Sequence, residues 1–460
     1  MASEWKTFRL GNVCSKIGSG ATPRCGSSVY LDKGEITLIR SQNIYNDGFH
    51  HDGLTYLTEQ HASELNNVEV SENDVLLNIT GDSVARSCQV DNNILPARVN
   101  QHVAIIRPDP RLLWPRFLRY YLVSPAMQAD MLSFSGAGAT RNALTKGMIE
   151  SFEIPAPVDV NEQRAIAHIL GTLDDKIELN RKMNETLEAM ARAIFKSWFV
   201  DFDPVRAKTR TERSRGVEGR DIGMPKNIAE LFPDRFVPAC RDVSGAGRES
   251  ELGDASASLG TRIPEGWRIG SVDDEFDLTM GQSPPGETYN EIGDGLPFYQ
   301  GRTDFGVRFP SHRVFCTVPT RFASAGDTLI SVRAPVGDIN MATERCAIGR
   351  GVAAARHKSG SRSYSYQFMQ SINTVFARFE AEGTVFGSIG KKDFHAIPCV
   401  IPPRDLVFAF ERQLSPIDNR IEVNDRESRT LVAMRDTLLP KLISGEVCIK
   451  DAERFWEATL

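Results

Sequence analysis

The chain has 460 residues, more than a single core usually fills, so several domains are expected. It is 41% hydrophobic and 25% charged, with a formal net charge of −6, the balance of an ordinary soluble globular protein and not an advertisement for nucleic acid. No segment is apolar enough to span a bilayer, residues 1–10 lack a signal-peptide core, and the eight cysteines form no CxxC pair, so the expectation is a cytoplasmic protein with reduced thiols, no membrane association and no zinc.

Residues 1–158 read as a first β-rich unit. Strand-like runs recur at residues 36–39, 75–79 and 102–106, separated by Gly, Asn and Asp clusters. A helical stretch covers residues 114–132. Ile154-Pro155-Ala156-Pro157 then forms an extended stop.

Residues 159–200 predict one long helix. Ile166, Leu170, Leu173, Ile177, Asn180, Asn184, Leu187, Ala191, Ile194 and Trp198 follow one another at steps of three or four, which is a coiled-coil seam. At ~1.5 Å per residue the helix would be a rod of roughly 55 Å, and a seam needs a partner. Residues 201–262 form a connector, basic at first and then rich in Gly, Ser and Ala. It reads as a solvated linker, with phosphate contact as the alternative.

Residues 263–403 repeat the first unit. Trp267-Arg268-Ile269-Gly270 echoes the text after Trp5, and Gly281-Gln282-Ser283-Pro284-Pro285 echoes residues 18–23. Asp327-Thr328-Leu329-Ile330 matches Asp74-Val75-Leu76-Leu77, and residues 348–356 echo residues 98–107. The shared order indicates duplication. Residues 404–445 carry the second seam: Phe410, Leu414, Ile417, Ile421, Asn424, Ser428, Leu431, Leu438 and Leu442. Asn180 and Asn424 hold the same seam position, as register-fixing asparagines do. Pro416 predicts a break, with Ser415 capping a restart. Residues 446–460 are a tail. The expected fold class is α+β: two β-rich domains, each followed by a long helix, with the helices packed as an antiparallel coiled coil.

Two similar domains joined through paired helices suit two separated patches on a long polymer. DNA presents equivalent faces once per turn, ~34 Å. The second domain carries Arg302, Arg308, Arg313, Arg321, Arg333, Arg345, Arg350, Arg356, Lys358 and Arg362 among few acids. The first is sparser, with Arg40, Arg86, Arg98, His102, Arg107, Arg141 and Lys146. Arginine suits bidentate phosphate and guanine contacts.

Several phrases together carry a family resemblance: Glu162-Gln163-Arg164-Ala165-Ile166-Ala167, Leu173-Asp174-Asp175-Lys176-Ile177-Glu178-Leu179-Asn180, Asn184-Glu185-Thr186-Leu187-Glu188-Ala189-Met190-Ala191, the run from Phe195 to Val205, Ile263-Pro264-Glu265-Gly266-Trp267, and residues 438–446. Over nearly its full length the chain resembles the specificity subunit, HsdS, of type I restriction–modification systems. That resemblance implies two target-recognition domains, each reading one half of a split double-stranded DNA site. It implies helices that set the spacer and dock two methyltransferase subunits, with restriction subunits joining for cleavage. S-adenosylmethionine would sit on the methyltransferase, ATP and Mg on the restriction subunit, and no cofactor on this chain. The connector over residues 236–261 is longer than the family's usual passage.

The residues themselves offer no NPPY-like motif, Walker A loop or HExxH, so the chain is expected to be non-catalytic, with no metal site. A coiled-coil scaffold that binds no DNA is the alternative function. Base reading needs polar side chains on loops held by a rigid scaffold. The candidates are Arg40, Ser41, Gln42 and Asn43 against Gln300, Arg302, Thr303 and Asp304; Asn78, Thr80 and Asp82 against Arg333; Asn100, Gln101 and His102 against Arg350; and Thr140, Arg141 and Asn142 against Ser388, Lys391 and Lys392. The helix-interface candidates are Ile166, Leu170, Leu173, Ile177, Asn180, Leu187 and Ile194, facing Leu414, Ile417, Ile421, Asn424, Leu431 and Leu438.

Overall fold

A computed structural model describes residues 4–136, 143–213, 224–239, 262–381 and 387–449. The chain folds as two compact units. Unit 1 takes residues 1–179 and 427–460, and unit 2 takes residues 180–426. Each unit therefore owns one β-rich domain and a part of both long helices. That differs from the linear domain–helix, domain–helix partition read in the sequence.

In unit 1, Trp5–Arg9 pairs antiparallel with Glu153–Pro157, joining the start of the domain to its end. One sheet runs Cys14–Ser19, Val103–Pro108, Val75–Asn78, Ser87–Gln89. A second runs Thr55–Leu57, Ile36–Ile39, Ala97–Val99, Glu69–Val70, and its central pair is parallel. Both faces of Val75–Asn78 and of Ala97–Val99 are covered, which explains the apolar run Val75-Leu76-Leu77.

Unit 2 repeats this plan. Arg268–Ser271 pairs with Pro398–Ile401. One sheet runs Phe276–Met280, Val352–His357, Thr328–Val332, Val336–Met341. The other contains the parallel pair Leu296–Tyr299 and Cys346–Ile348.

The repeat extends to single interactions. Asp74 grips Arg107 with both oxygens, at 2.7 and 2.8 Å, and Asp327 grips Arg356 at 2.6 and 2.9 Å. The same carboxylates accept the N–H of Ser71 and of Ser324, each at 2.7 Å. Gly20 and Gly281 fill equivalent close approaches. A Cβ on Gly20 would lie 2.2 Å from the Val99 and Asn100 carbonyl oxygens, and one on Gly281 2.1 Å from that of Gly349. No side chain fits there.

The helices are Val160–Phe195 and Arg404–Ile443. In unit 1, Ile166, Leu170 and Leu173 share a core with Phe117, Leu118, Leu431, Leu438 and Leu442, and Ile177 packs against it half-buried. In unit 2, Ala191 shares a core with Phe410, Leu414 and Ile421, against which Leu187, Ile194 and Ile417 pack half-buried. The partners run antiparallel in both units. Asp174 meets Arg435 and Lys176 meets Glu427 in unit 1. In unit 2, the Asn180 amide donates to the Asn424 carbonyl at 3.4 Å, and the Asn184 amide donates to that of Ile421 at 3.3 Å. Asn424 donates in turn to Asn184 Oδ1 at 2.8 Å, so three amides fix the register.

Two expectations fail here. The second helix runs through Pro416 without a restart. Proline there removes the donor that would meet the Arg412 carbonyl, at about 3 kcal/mol in an isolated helix. Phe410, Leu414, Asp418 and Ile421 are buried on both sides of it, and this packing holds the helix together. The described parts of the connector are not a solvated linker either. Phe202, Val205, Ile228 and Phe232 enter the unit 2 core, and Phe236–Pro238 pairs with Arg262–Pro264. Residues 214–223 and 240–261 of the connector lie outside the described residues. The Phe195-to-Val205 run supplies aromatic rings to that core: Trp198 meets Phe232 edge-on at 5.3 Å, and Phe199 meets Phe410 at 5.1 Å.

Each domain is tied to its helices by a buried ion cluster. In unit 1, Asp174 Oδ2 accepts from Arg119 Nη1 and from the Tyr120 hydroxyl, both at 2.7 Å, and Oδ1 accepts from Arg435 Nη1 at 3.0 Å. Burial pushes the Asp174 carboxyl up, but Arg119, Tyr120 and Arg435 outweigh it and hold it below the usual range. In unit 2, Arg308 donates to Glu188 at 2.6 Å and to Asp418 at 2.7 Å and lies over the Tyr366 ring. Burial disfavours the Arg308 charge, but Asp418 and Glu188 more than offset this, and its pKa rises.

Candidate functional site

The strand ends of each unit bring its candidate loops together. In unit 1, Asn100 N–H donates to the Ile39 carbonyl and so joins residues 100–102 to residues 40–43. Ile79 N–H donates to the His102 carbonyl, and Leu144 N–H donates to that of Ile79. Residues 40–43, 79–83, 100–102 and 143–145 thus form one cluster. Unit 2 repeats each link: Gly349 to Tyr299, Val332 to Gly351, and Ile389 to Val332. Residues 300–304, 332–334, 349–351 and 388–392 form the matching cluster. A backbone bridge closes both, Thr80 with Ala143 and Arg333 with Ser388.

In unit 1 the cluster surrounds an open cleft of about 860 Å³, lined by Ser41, Gln42, Tyr45, Thr80, Asp82, Arg86 and His102 among others. Thr80 Oγ1 lies 2.6 Å from His102 Nδ1, and Gln101 Nε2 lies 3.2 Å from His102 Nε2. Arg86 lies 4.6 Å from the Tyr45 ring centre, and Tyr45 stacks on His50 at 4.1 Å. The cleft offers hydroxyl, amide and imidazole groups beside a cation braced on an aromatic face. Tyr45 and Arg86 escaped the sequence reading. Arg86 was visible there as one of the few basic residues of the first domain, but nothing in the sequence singled out Tyr45.

Not every candidate faces this space. Asn43 is fully buried: its amide donates to the His50 and Asp52 carbonyls at 3.0 Å, and its Oδ1 accepts the Arg40 N–H at 3.1 Å. Asn78 is fully buried and donates to the Ser41 carbonyl at 2.9 Å. Asn100 is buried and accepts the His102 N–H at 3.2 Å. These three asparagines shape the loops instead of presenting side chains to a ligand. Arg40 is half-buried and donates to the Gly53 carbonyl at 2.6 Å, which Gln42 shares at 3.2 Å. Thr140, Arg141 and Asn142 lie outside the described residues.

In unit 2, Gln300, Arg302, Thr303, Arg333, Arg350, Lys391 and Lys392 are all exposed, and Asp304 is buried against Arg313. Arg302 Nη1 lies 3.2 Å from Asp338 Oδ2. The broad basic face expected of this domain is smaller than its composition suggests. Arg308 is buried, Arg313 and Arg356 hold aspartates, Arg362 reaches Glu422, Arg345 lies over Phe322, and Lys358 donates to backbone carbonyls. In unit 1, Arg98 is likewise buried and the half-buried Arg107 holds Asp74. In unit 2, Arg302, Arg333, Arg350, Lys391 and Lys392 of the loop cluster stay exposed, as does Arg321 outside it.

The chain as a whole is similar to known proteins. Residues 2–189 match the model of the type I restriction modification DNA specificity domain. The chain is 24% identical to the type I restriction enzyme HindI specificity subunit of Haemophilus influenzae, over 97% of this chain and 100% of that protein. It is 27% identical to the putative type I restriction enzyme MjaX specificity subunit of Methanocaldococcus jannaschii, over 76% of this chain and 72% of the relative. Among solved structures, the S subunit of a type I restriction–modification system from M. genitalium shares the fold, with a TM-score of 0.57 and 15% identity over 96% of both chains.

Proposed function

We propose that the chain is a specificity subunit of a type I restriction–modification system and that it recognises a bipartite double-stranded DNA target, each unit reading one half through its loop cluster. The observation that carries this reading is the duplicated cluster: equivalent hydrogen bonds in both units gather the same set of strand ends, and among the side chains exposed there are Gln42, Gln101, Gln300, Arg302, Arg333 and Arg350. Arginine and glutamine make bidentate contacts that distinguish base edges in the major groove, and serine and threonine hydroxyls add hydrogen bonds to either kind of edge. The helices set the spacer between the half-sites and dock two methyltransferase subunits. Catalysis belongs to those partners: S-adenosylmethionine on the methyltransferase, and ATP with Mg on restriction subunits that join for cleavage. This chain contributes no cofactor of its own.

The test is to map methylated bases in DNA from cells that express the methyltransferase subunit with and without this chain. A two-part motif that depends on the chain is the expected result. Methylation by the purified chain alone would overturn the non-catalytic role. A four-residue insertion beside Asn184 tests the ruler. It adds roughly 6 Å of helix, against ~3.4 Å per base pair. The spacer should lengthen by one or two base pairs while both half-site sequences persist. An active variant with an unchanged spacer would remove the ruler role from this helix.

A further inference from the structure

Arg302 and Asp338 occupy positions that unit 1 fills quite differently. Arg302 opens the short helical turn Arg302–Asp304, as Ser41 opens Ser41–Asn43 in unit 1. On the neighbouring strand Leu77 faces Ser87 in unit 1, and Ile330 faces Ile339 in unit 2. One residue earlier stand Arg86 and Asp338. Where unit 1 sets a serine beside an arginine, unit 2 sets an arginine beside an aspartate, and the two side chains meet at 3.2 Å. They line an open cleft of about 300 Å³ with Phe305, Gly306, Asn340 and Gln370.

Both supports are rigid. The Asp338 N–H donates to Ser331 Oγ at 2.9 Å, and Ser331 Oγ–H donates to the Pro335 carbonyl at 2.8 Å. The Arg302 turn closes through the Phe305 N–H, which donates to the Arg302 carbonyl at 2.9 Å, and Asp304 is anchored by Arg313. The Arg302 side chain remains 58% exposed, so one nitrogen meets Asp338 while the rest of the fork faces outward. A free surface arginine samples many rotamers. Asp338 meets Arg302 as an ion pair and not as a hydrogen bond, and that attraction biases its rotamers before any ligand arrives. The guanidinium carries donors only, in a planar fork. Guanine offers two acceptors, O6 and N7, on its major-groove edge, whereas adenine pairs one acceptor with a donor. We propose that Arg302 reads a guanine in the half-site of unit 2 and that Asp338 is the positioning residue that holds its fork. The proposal rests on the loop cluster being the DNA interface.

The experiment uses the full chain with its methyltransferase subunit and maps methylated sites for the unsubstituted protein, Arg302→Ala, Arg302→Lys, Asp338→Asn and the double variant Arg302→Ala/Asp338→Asn. Arg302→Ala should relax one G·C pair of one half-site by roughly 10-fold, leaving the other half-site intact as proof of folding. Arg302→Lys should relax it as well, because lysine keeps the charge but loses the fork. Asp338→Asn should relax the same pair to a smaller extent, and the double variant should go no further than Arg302→Ala. A purely structural aspartate would instead lower methylation at all sites without changing the motif, and that result overturns the positioning role. Relaxation at an A·T pair or an unaltered motif in Arg302→Ala overturns the guanine reading, and full discrimination by the lysine variant overturns the role of the fork. Failure of the unsubstituted complex to yield any two-part motif would instead remove the DNA-reading function itself.

Discussion

Asp174 and Asp418 stand at corresponding points of the two long helices, yet the clusters around them are built with opposite polarity. In unit 1 the carboxylate is the hub, and it collects Arg119 and Tyr120 from the domain and Arg435 from the facing helix. In unit 2 the hub is a cation, Arg308 of the domain, and both helices supply acids to it, Glu188 and Asp418. The helices of unit 1 therefore bond to each other directly. In unit 2 the cluster itself links the helices through the domain. Duplication preserved the place of the clamp while its chemistry diverged, so equivalent substitutions should have unequal effects.

The sharpest break in that comparison is Arg308→Ala. It leaves two helix carboxylates without their shared cation in a buried setting and should cost about 3–5 kcal/mol. Hydrogen exchange should show the loss across residues 404–426. Arg119→Ala in unit 1 should cost only about 1–3 kcal/mol, since Asp174 keeps Arg435 and Tyr120. Equal costs would show that the hub's polarity is immaterial.

Asp174→Asn comes next, at about 2–3 kcal/mol near neutral pH, and its pH dependence carries the information. The folded Asp174 carboxyl lies below its unfolded value, so its stabilisation is fully present above the unfolded pKa and is lost as pH falls through the folded one. Exchange protection of residues 427–443 should therefore fall on acidification in the unsubstituted chain, and its advantage over Asp174→Asn should shrink. A gap that stays constant from pH 7 to about pH 3, well below the unfolded range, would refute the linkage.

The mildest variants test where the units should agree. Gly20→Ala and Gly281→Ala each force a Cβ against backbone oxygen, within 2.2 Å and 2.1 Å respectively. Each should cost about 1–3 kcal/mol, as overpacking does, and the two costs should be nearly equal. Unequal unfolding free energies would mean that the two scaffolds have diverged as far as their clamps.

The sequence made the duplication legible because both copies keep the residues that covalent geometry and buried ion pairs demand, such as Gly20 with Gly281 and Asp74 with Asp327. The seam was equally legible, since its spacing is one-dimensional. Burial is not. Asn43, Asn78 and Asn100 look like base readers in the text and are loop supports in space. Arg308 is written like its exposed neighbours and lies in the interior. Pro416 shows local propensity overridden by packing on both sides of it. The antiparallel seam already implied that residues 160–179 meet the end of the second helix, but the assignment of those segments to one unit with the first domain was not legible in it.

That last feature bears on synthesis. Unit 2 is one continuous stretch of chain, residues 180–426, whereas unit 1 is interrupted by the whole of it. A ribosome finishes the first domain early, but Leu170 and Leu173 then lack Leu431, Leu438 and Leu442 until the last turns of the second helix emerge. At ~5–20 residues per second, the roughly 260–270 residues between these partners keep that apolar stripe waiting for tens of seconds. The first part of the molecule to be made is thus among the last to be completed, and the nascent chain needs protection for that stripe while unit 2 folds.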